Sequence, residues 1–595
     1  MRLAEESTAV ETLLDEPHHD GSELYTPEPP LAVGDTATLL LRTRRGDAER
    51  VHLRHLRDGE PTLVEARVDS ETGDETWWRA SFRTSNPVTR YRWLLSGGAR
   101  GYAWLNANGL QPTEVAGSDD FVATPGAGGP DWHLSSVVYE IFPDRFATTG
   151  AARSAPSWAI AREWATLPTG RGRATPHEWF GGDLPGITAH LDHIAALGAN
   201  AIYLTPIFPA TSTHRYDATT FDRIDPLLGG DGAFAELVAA ARRQGIRLIG
   251  DLTLNHTGWQ HEWFETAREH SHSPERGFYL FDEALPGGYA SWLGVPTLPK
   301  LDWRDSELHA RMRGTVRRWL EAGLDGWRID VANMAGRFRS VDLNHDVARW
   351  ARGAADGALL LAEHGHDYRP DLDGTGWDGA MNYAGFLRPV TWWLHGGTLR
   401  NDPFSPAPAP EYSGTQMVDV MRRFRAGVPW PVTLHSWTLL DSHDTPRFRT
   451  AVRTRERQLV GVGLQMTTPG VPMIFAGDEL GLEGEWGEDA RRTMPWESEG
   501  SWDTALLDGY RRLAELRRAS PALQRGSIRY VHVSADAVCY LRETADERLL
   551  CLALRAPTRP IAVPFTTLET LFGDDARGGV LPSEGPSFHV WRIHG

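Results

Sequence analysis

The stretch DGAFAELVAAARRQGIRLIGDLTLN (231–255) decides the fold. An amphipathic, helix-like segment opens with Asp231 and closes with Gly245, and a short apolar run, RLIGDLTLN (247–255), follows at once as a buried strand. The same alternation extends in both directions. Upstream lie VVYEIF (137–142) and AIYLTPI (201–207); downstream SELHARMRGTVRRWLEAG (306–323) is a second helix-like segment, opening with Ser and closing with Gly before DGWRIDV (325–331). Further strands are read at ALLLAE (358–363), GAMNY (379–383), SWTLLDSHD (436–444) and VPMIFAGDE (471–479). Strand, helix, strand in this order means a parallel sheet, and eight such units favour an α/β fold closed into a (β/α)8 TIM barrel.

The flanks have a different period. Between residues 31 and 125, segments such as ATLLLRT, RVHLRHL and RYRWLL alternate from Thr36 onward between Gly, Asp and Asn turns, which predicts an N-terminal β-sandwich. TPGAGGPDW (124–132) serves as a linker. The barrel then spans 126–519, and from 520 to 595 strand-like alternation returns (RYVHVSADAVCYL, LLCLALR), as expected of a C-terminal β-sandwich. Residues 1–30 are acidic and Pro-containing and read as a loosely held arm.

A chain of 595 residues exceeds one hydrophobic core. Its net charge of −18 argues against nucleic-acid and anionic-membrane partners, both of which need a basic surface, and suits a neutral ligand. The first twenty residues lack a basic n-region and an apolar core, and no run spans a bilayer, so the expectation is a soluble cytoplasmic protein. Cys539 and Cys551 read as buried free thiols.

Chemistry in such a barrel sits at the C-terminal ends of the strands. Strand 3 ends in Asp251 and runs on to Asn255 and His256; strand 4 ends in Arg328 and Asp330, strand 5 in Glu363, strand 7 in His443 and Asp444. One such residue alone is as readily a strand-end charge or a helix cap; all of them on one rim are hard to explain as capping. In Arg328-Ile329-Asp330 the two polar side chains share one face, so the cation is expected to lower the pKa of Asp330 and keep it ionised. Glu363 follows an apolar run, and an apolar setting raises a carboxyl pKa. An ionised and a protonated carboxyl facing across a cleft, roughly 5–5.5 Å apart, would split a glycosidic bond with retention.

DLTLNH (251–256), GWRIDVAN (326–333), LLAE (360–363) and SHDTPR (442–447) stand in the order and spacing of the α-amylase superfamily, which the chain resembles over nearly its whole length. YEIFPDRF (139–146), WFGGDLPGI (179–187), HRYD (214–217), LPKLDW (298–303) and GVPMIFAGDELG…RRTMPWE (470–497) are accessory matches to its neopullulanase, cyclomaltodextrinase and maltogenic amylase group, with cyclic maltosyl-maltose hydrolases nearby. The resemblance implies Asp330 as nucleophile, Glu363 as acid/base and Asp444 as the carboxylate holding the 2- and 3-hydroxyls of the reacting sugar. It further implies that His256 and His443 hydrogen-bond that sugar, that Arg328 orients Asp330, that Tyr216 stacks beneath the ring, that Asp251 supports the site, and that Arg447 joins the substrate-binding set. It implies a short inserted domain at about 257–298 and an N-terminal domain through which a homodimer could form, with an α-gluco-oligosaccharide as substrate.

The sequence departs from the group in three places. Where relatives carry a tryptophan two residues after the acid/base, Glu363 is followed by His364, Gly365 and His366; where they read VANE, Met334 stands. Both changes predict reshaped leaving-group subsites, suited to a branched or cyclic glucan. RFATTGAARSAP (145–156) lacks a carboxylate where some relatives bind calcium, so calcium, though possible, is not expected there, and no other cofactor is implied. HEWF (261–264) and the many histidines do not make a zinc site: His364 and His366 stand two apart on a loop, and no third ligand lies at a useful spacing. Among 24 tryptophans, Trp259, Trp303 and Trp377 are candidates for exposed sugar platforms near the rim. Two other classes stay open: a transglycosylase or branching-type enzyme using the same residues, and a non-catalytic glucan-binding protein on the same fold.

Overall fold

The computed structural model describes residues 13–150, 154–397, 399 and 407–594. Eight parallel strands form its centre: β1 Val138–Ile141, β2 Ala201–Leu204, β3 Arg247–Thr253, β4 Gly326–Asp330, β5 Leu359–Ala362, β6 Gly379–Ala380, β7 Trp437–Leu439 and β8 Val471–Phe475. They pair in the order β6-β5-β4-β3-β2-β1-β8-β7. Met381 bridges Trp437 in parallel, and the Asn382 N–H donates to the Trp437 carbonyl at 3.1 Å, so the two ends of the sheet meet and the barrel closes.

Successive residues of a strand point to opposite faces, and here the faces separate cleanly. Val138, Tyr203, Ile249, Leu359, Leu361, Trp437, Leu439, Val471 and Met473 fill the barrel interior. Tyr139, Ile141, Ile202, Leu204, Leu248, Trp327, Ile329, Leu360 and Ile474 pack outward against the helices. That parity turns Glu140, Asp251, Arg328 and Asp330 inward.

The helices are placed by their caps. In Ser306–Ala322, Asp305 accepts the Glu307 and Leu308 N–H groups at 2.9 and 3.0 Å. Gly323 ends it at φ +129°, where an added Cβ would lie 2.4 Å from Val238 of the neighbouring helix Gly230–Arg243; only glycine allows that approach.

Antiparallel sheets flank the barrel. On the N-terminal side Glu75–Arg83 lies between Thr36–Arg44 and Arg67–Thr72 in one sheet. The other is built on Arg50–Arg57 and Thr89–Gly97, and a shared core including Leu39, Leu41, Val51, Leu53, Trp78 and Trp93 lies between the two. The C-terminal unit is a five-stranded sheet, Ser527–Val533, Ala537–Glu543, Arg548–Leu554, Ser587–Ile593 and Leu568–Phe572. One of its faces (Tyr530, Val538, Tyr540, Cys551) joins the barrel core. The other (Cys539, Leu541, Leu550, Leu552) is covered by Ile561, Val563 and Leu581 rather than by a second sheet. Both cysteines are free and buried.

The arm is not loose where it is described. Residues 1–12 lie outside the described residues, but from Leu13 the chain is tied down. His19 bonds the Leu40 carbonyl and the Tyr91 hydroxyl, and Tyr25 is fully buried. Beside Tyr25, Arg42 donates to Glu543 at 2.9 Å and so links the N-terminal and C-terminal sheets. Arg42→Ala leaves Glu543 buried with a weaker partner in Arg548; we expect a loss of about 2 kcal/mol. The check is a urea unfolding midpoint, which falls in the variant; an unchanged midpoint would show that the link contributes nothing.

Candidate active site

At the C-terminal rim, parallel register sets Asp251 beside Arg328 and Thr253 beside Asp330. The Arg328 guanidinium, fully buried, is the hub. Its Nη1 donates to both carboxylate oxygens of Asp251 at 3.0 and 2.9 Å and to Asp330 Oδ1 at 3.1 Å. Its Nη2 makes an ion-pair contact with Glu363 Oε2 at 3.0 Å. Both candidate catalytic carboxylates therefore hang from the two ends of one cation.

Glu363 directly follows β5, and its N–H donates to the Ile329 carbonyl at 2.9 Å. Its Oε2 accepts the Val331 N–H at 2.7 Å. Val331 reaches this donor position in a left-handed conformation, φ +35°, which a β-branched residue adopts only under strain; strain of this kind is common where a site must be held in shape. The apolar setting expected for Glu363 is thus corrected: a cation and a backbone donor face its carboxylate.

The expectation for Asp330 is also reversed. Burial, and next the facing Glu363, push its pKa well above the ordinary carboxylate range, and the pull of Arg328 does not offset them. Arg328 is already shared with Asp251 and Glu363, so its charge is divided among three carboxylates. Asp330 therefore holds its proton to a higher pH than a lone carboxylate does.

His256 is neutral: burial, and then Lys300, lower its pKa to about 3. The Lys300 ammonium donates to Asn255 Oδ1, which turns the Asn255 amide N–H toward His256 Nδ1 at 3.1 Å. The ring proton is then on Nε2, which has no hydrogen-bond partner among the described residues and faces Asp330 Oδ2 at 3.9 Å. On the opposite wall His443 Nε2 meets the Tyr216 hydroxyl at 2.7 Å and Asp444 Oδ2 at 3.2 Å, and Tyr216 donates to Asp251 Oδ2 at 3.0 Å. Asp444 accepts Arg491 at 2.9 Å. Burial would raise the Asp444 pKa, but His443, Arg491 and Arg328 together hold it below the ordinary value, so it stays ionised.

These groups line a cleft of about 450 Å³ with Tyr216, His256, Trp292, Val295, Asp330 and Glu363 in its wall. A second hollow of about 470 Å³, past Asp444, adds Arg171 and Trp486. The segment between β3 and the Ser306–Ala322 helix supplies Trp292, whose indole N–H is buried without a partner among the described residues.

The structure brings Asp251, Asp330, Glu363, Asp444, Tyr216, His256, Arg328 and His443 together, but not Arg447. Arg447 is buried behind the rim, donating to Asp478 Oδ1 and to the Ala476 and Ala490 carbonyls, which ties the loops after β7 and β8 together. Trp303 and Trp377 are buried as well, and of the three suggested platforms only Trp259 is exposed. Sequence reasoning missed Glu140, Tyr203, Lys300, Trp292 and Arg491. Inward parity next to Val138 and Ala201 signals Glu140 and Tyr203; the others lie on loops whose course periodicity does not give. The loop at 145–156 passes through residues 151–153, which lie outside the described residues.

Residues 140–352 match the family model described as "Alpha amylase, catalytic domain". The chain is 30% identical over 574 residues to neopullulanase 2 of Thermoactinomyces vulgaris, covering 90% of this chain and 92% of that protein. The chain belongs to the α-amylase family. Within this family it is 31% identical over 435 residues to a cyclomaltodextrinase of a Bacillus species, covering 71% of this chain and 73% of that one. Among solved structures, the ligand-free cyclic α-maltosyl-(1→6)-maltose hydrolase of Arthrobacter globiformis superposes with a TM-score of 0.66 at 32% identity, covering 78% of this chain and all of that one. As an α-amylase family member the protein is a glycoside hydrolase, and the buried carboxylates on the barrel rim are its candidate machinery.

Proposed function

We propose that this enzyme is a retaining α-glucan hydrolase that cleaves α-1,4-glucosidic bonds in small cyclic or branched malto-oligosaccharides. The observation that carries the reading is the pair Asp330 and Glu363, held by opposite ends of the Arg328 guanidinium at the wall of the cleft. In the first step an Asp330 oxygen bonds to the anomeric carbon as Glu363 gives its proton to the departing glycosidic oxygen. In the second, Glu363 takes a proton from water, the water oxygen bonds to the anomeric carbon, and Asp330 leaves as carboxylate. Asp444, ionised and braced by Arg491, accepts hydrogen bonds from the sugar's 2- and 3-hydroxyls, and His256 offers its Nε2–H.

The leaving-group side supports the choice of substrate. His364 is buried against Asp371 at 3.0 Å, Asp371 is clamped by Arg337, and the exposed His366 meets Asn333 at 3.1 Å. Where an aromatic platform would stack on a linear acceptor sugar, the chain presents a polar edge. Two of the relatives above are named for cyclic glucans, a cyclomaltodextrin and a cyclic maltosyl-maltose, which fits the cyclic part of this reading.

A cytoplasmic location belongs to the same reading, supported by the two free buried cysteines, and no described helix is long and apolar enough to cross a membrane. A homodimer through the N-terminal sheets belongs to it too. Calcium is not proposed.

The test is incubation of the protein with linear, branched and cyclic α-gluco-oligosaccharides, with products followed by chromatography. Cleavage favouring a cyclic or branched member is expected. Equal turnover of maltotriose and every cyclic substrate would contradict the substrate choice; longer or branched products at high sugar concentration would point to transfer, and binding without cleavage to a non-catalytic protein.

A further inference from the structure

Glu140 lies on the inner face of β1, fully buried, on the far side of His443 from the cleft residues Tyr216 and Asp444. One of its oxygens, Oε1, contacts His443 Nδ1, and the other is buried with no hydrogen-bond partner among the described residues. The imidazole is therefore held between two carboxylates, Glu140 at Nδ1 and Asp444 at Nε2. A neutral imidazole has a lone pair on one nitrogen, and in either tautomer that lone pair would face a carboxylate oxygen. Only the doubly protonated ring satisfies both contacts.

We propose that Glu140 is a positioning residue that holds His443 as an imidazolium with both nitrogens protonated. It thereby fixes the direction of a hydrogen-bond chain running from β1 through His443 and Tyr216 to Asp251. With Nε2–H donating to the Tyr216 oxygen, the Tyr216 proton is free to donate to Asp251 Oδ2, and every link in the chain has one donor and one acceptor. Were His443 neutral and protonated on Nδ1, Tyr216 would have to donate to Nε2 and its bond to Asp251 would be lost. The groups facing His443 are Glu140 from β1, Tyr216 from the loop after β2, Asp251 from β3 beyond Tyr216, Asp444 from its own loop and Arg491 from the loop after β8. Burial would lower the histidine's pKa, yet Asp444 and Glu140 outweigh burial and Arg491, and the net displacement is upward.

The kinetic consequence rests on the glycosidase reading above: the imidazolium charge beside Asp444 keeps that carboxylate ionised as an acceptor for the sugar, and its N–H holds the Tyr216 hydroxyl in one orientation beneath it. Glu140→Gln keeps the size of the side chain and removes its charge. His443 then loses its second proton at lower pH, and the alkaline limb of the kcat/KM profile moves down by about one pH unit or more. Below that limb, where the ring is protonated in either protein, activity stays within about threefold. Glu140→Asp, which restores the charge, moves the limb part of the way back.

An arm independent of turnover is NMR titration of protein labelled with 13C at histidine Cε1, with His443 identified by the signal lost in His443→Gln. The parent titrates above the ordinary histidine value of 6.5, and Glu140→Gln titrates lower. A parent value at or below 6.5, an unchanged titration in Glu140→Gln, or an equal loss of activity at every pH would overturn the proposal. A parent that hydrolyses nothing would instead sink the glycosidase reading and leave the NMR arm to decide this one. The parent titration needs no variant of Glu140, so a failure of Glu140→Gln to fold does not remove the test.

Discussion

Asp330→Asn lowers kcat on every cleaved α-glucan by about four orders of magnitude or more, and it does so whatever the leaving group. An amide cannot form the covalent glycosyl bond, and a better leaving group does not supply a nucleophile. Glu363→Gln behaves differently. Its loss, on the order of 10²–10⁴ on natural glycosides, shrinks sharply for the first step on an α-glucosyl fluoride, whose leaving group needs no proton. The contrast separates two carboxylates that the structure places on the same guanidinium. Stopped-flow measurement of fluoride release from both variants reads it; rescue of Asp330→Asn by the fluoride, or none for Glu363→Gln, would exchange or abolish the two roles.

Arg328→Met has the second large effect, on activity and stability together. It strips the buried Asp251, Asp330 and Glu363 of their shared cation, and removing one partner of a buried ion pair costs about 3–5 kcal/mol. Burial already holds the Asp251 and Asp330 pKa values up, and without the guanidinium they rise further. A carboxyl whose folded pKa exceeds its unfolded value of about 4 contributes stability below that pH and loses it as pH climbs through the folded pKa. The deficit of Arg328→Met is therefore largest at neutral pH and shrinks on acidification toward about pH 5. Urea unfolding at both pH values checks this. A deficit independent of pH would mean that Arg328 acts through packing and not charge.

How legible all this is in the sequence depends on the element. The barrel reads from periodicity, because parallel strands buried on both faces, such as those ending at Asp251 and Asp330, alternate with amphipathic helices capped at both ends. The rim residues follow, since a polar side chain at a strand end can only face the rim. Pairings across the barrel do not follow. Nothing local to Arg328 reveals that it serves three carboxylates, and so the predicted lowering of the Asp330 pKa was opposite to the direction found. Arg447 sits in a motif with His443 and Asp444, but a turn after Ser442 sends its side chain behind the rim to Asp478. Glu140 was within reach, because a lone acid on the inward parity of β1 must meet a partner inside the barrel; which partner depends on a loop 303 residues away in sequence.

The most direct test of the central claim is to incubate Glu363→Gln with an α-glucosyl fluoride, quench it, digest it and locate any covalent hexose by mass spectrometry. The account predicts one glucosyl unit esterified to Asp330, because the first step needs no acid with this leaving group and the second is slow without its base. A glucosyl unit on any other residue, or rapid fluoride release with no adduct and a product of inverted configuration, would contradict it.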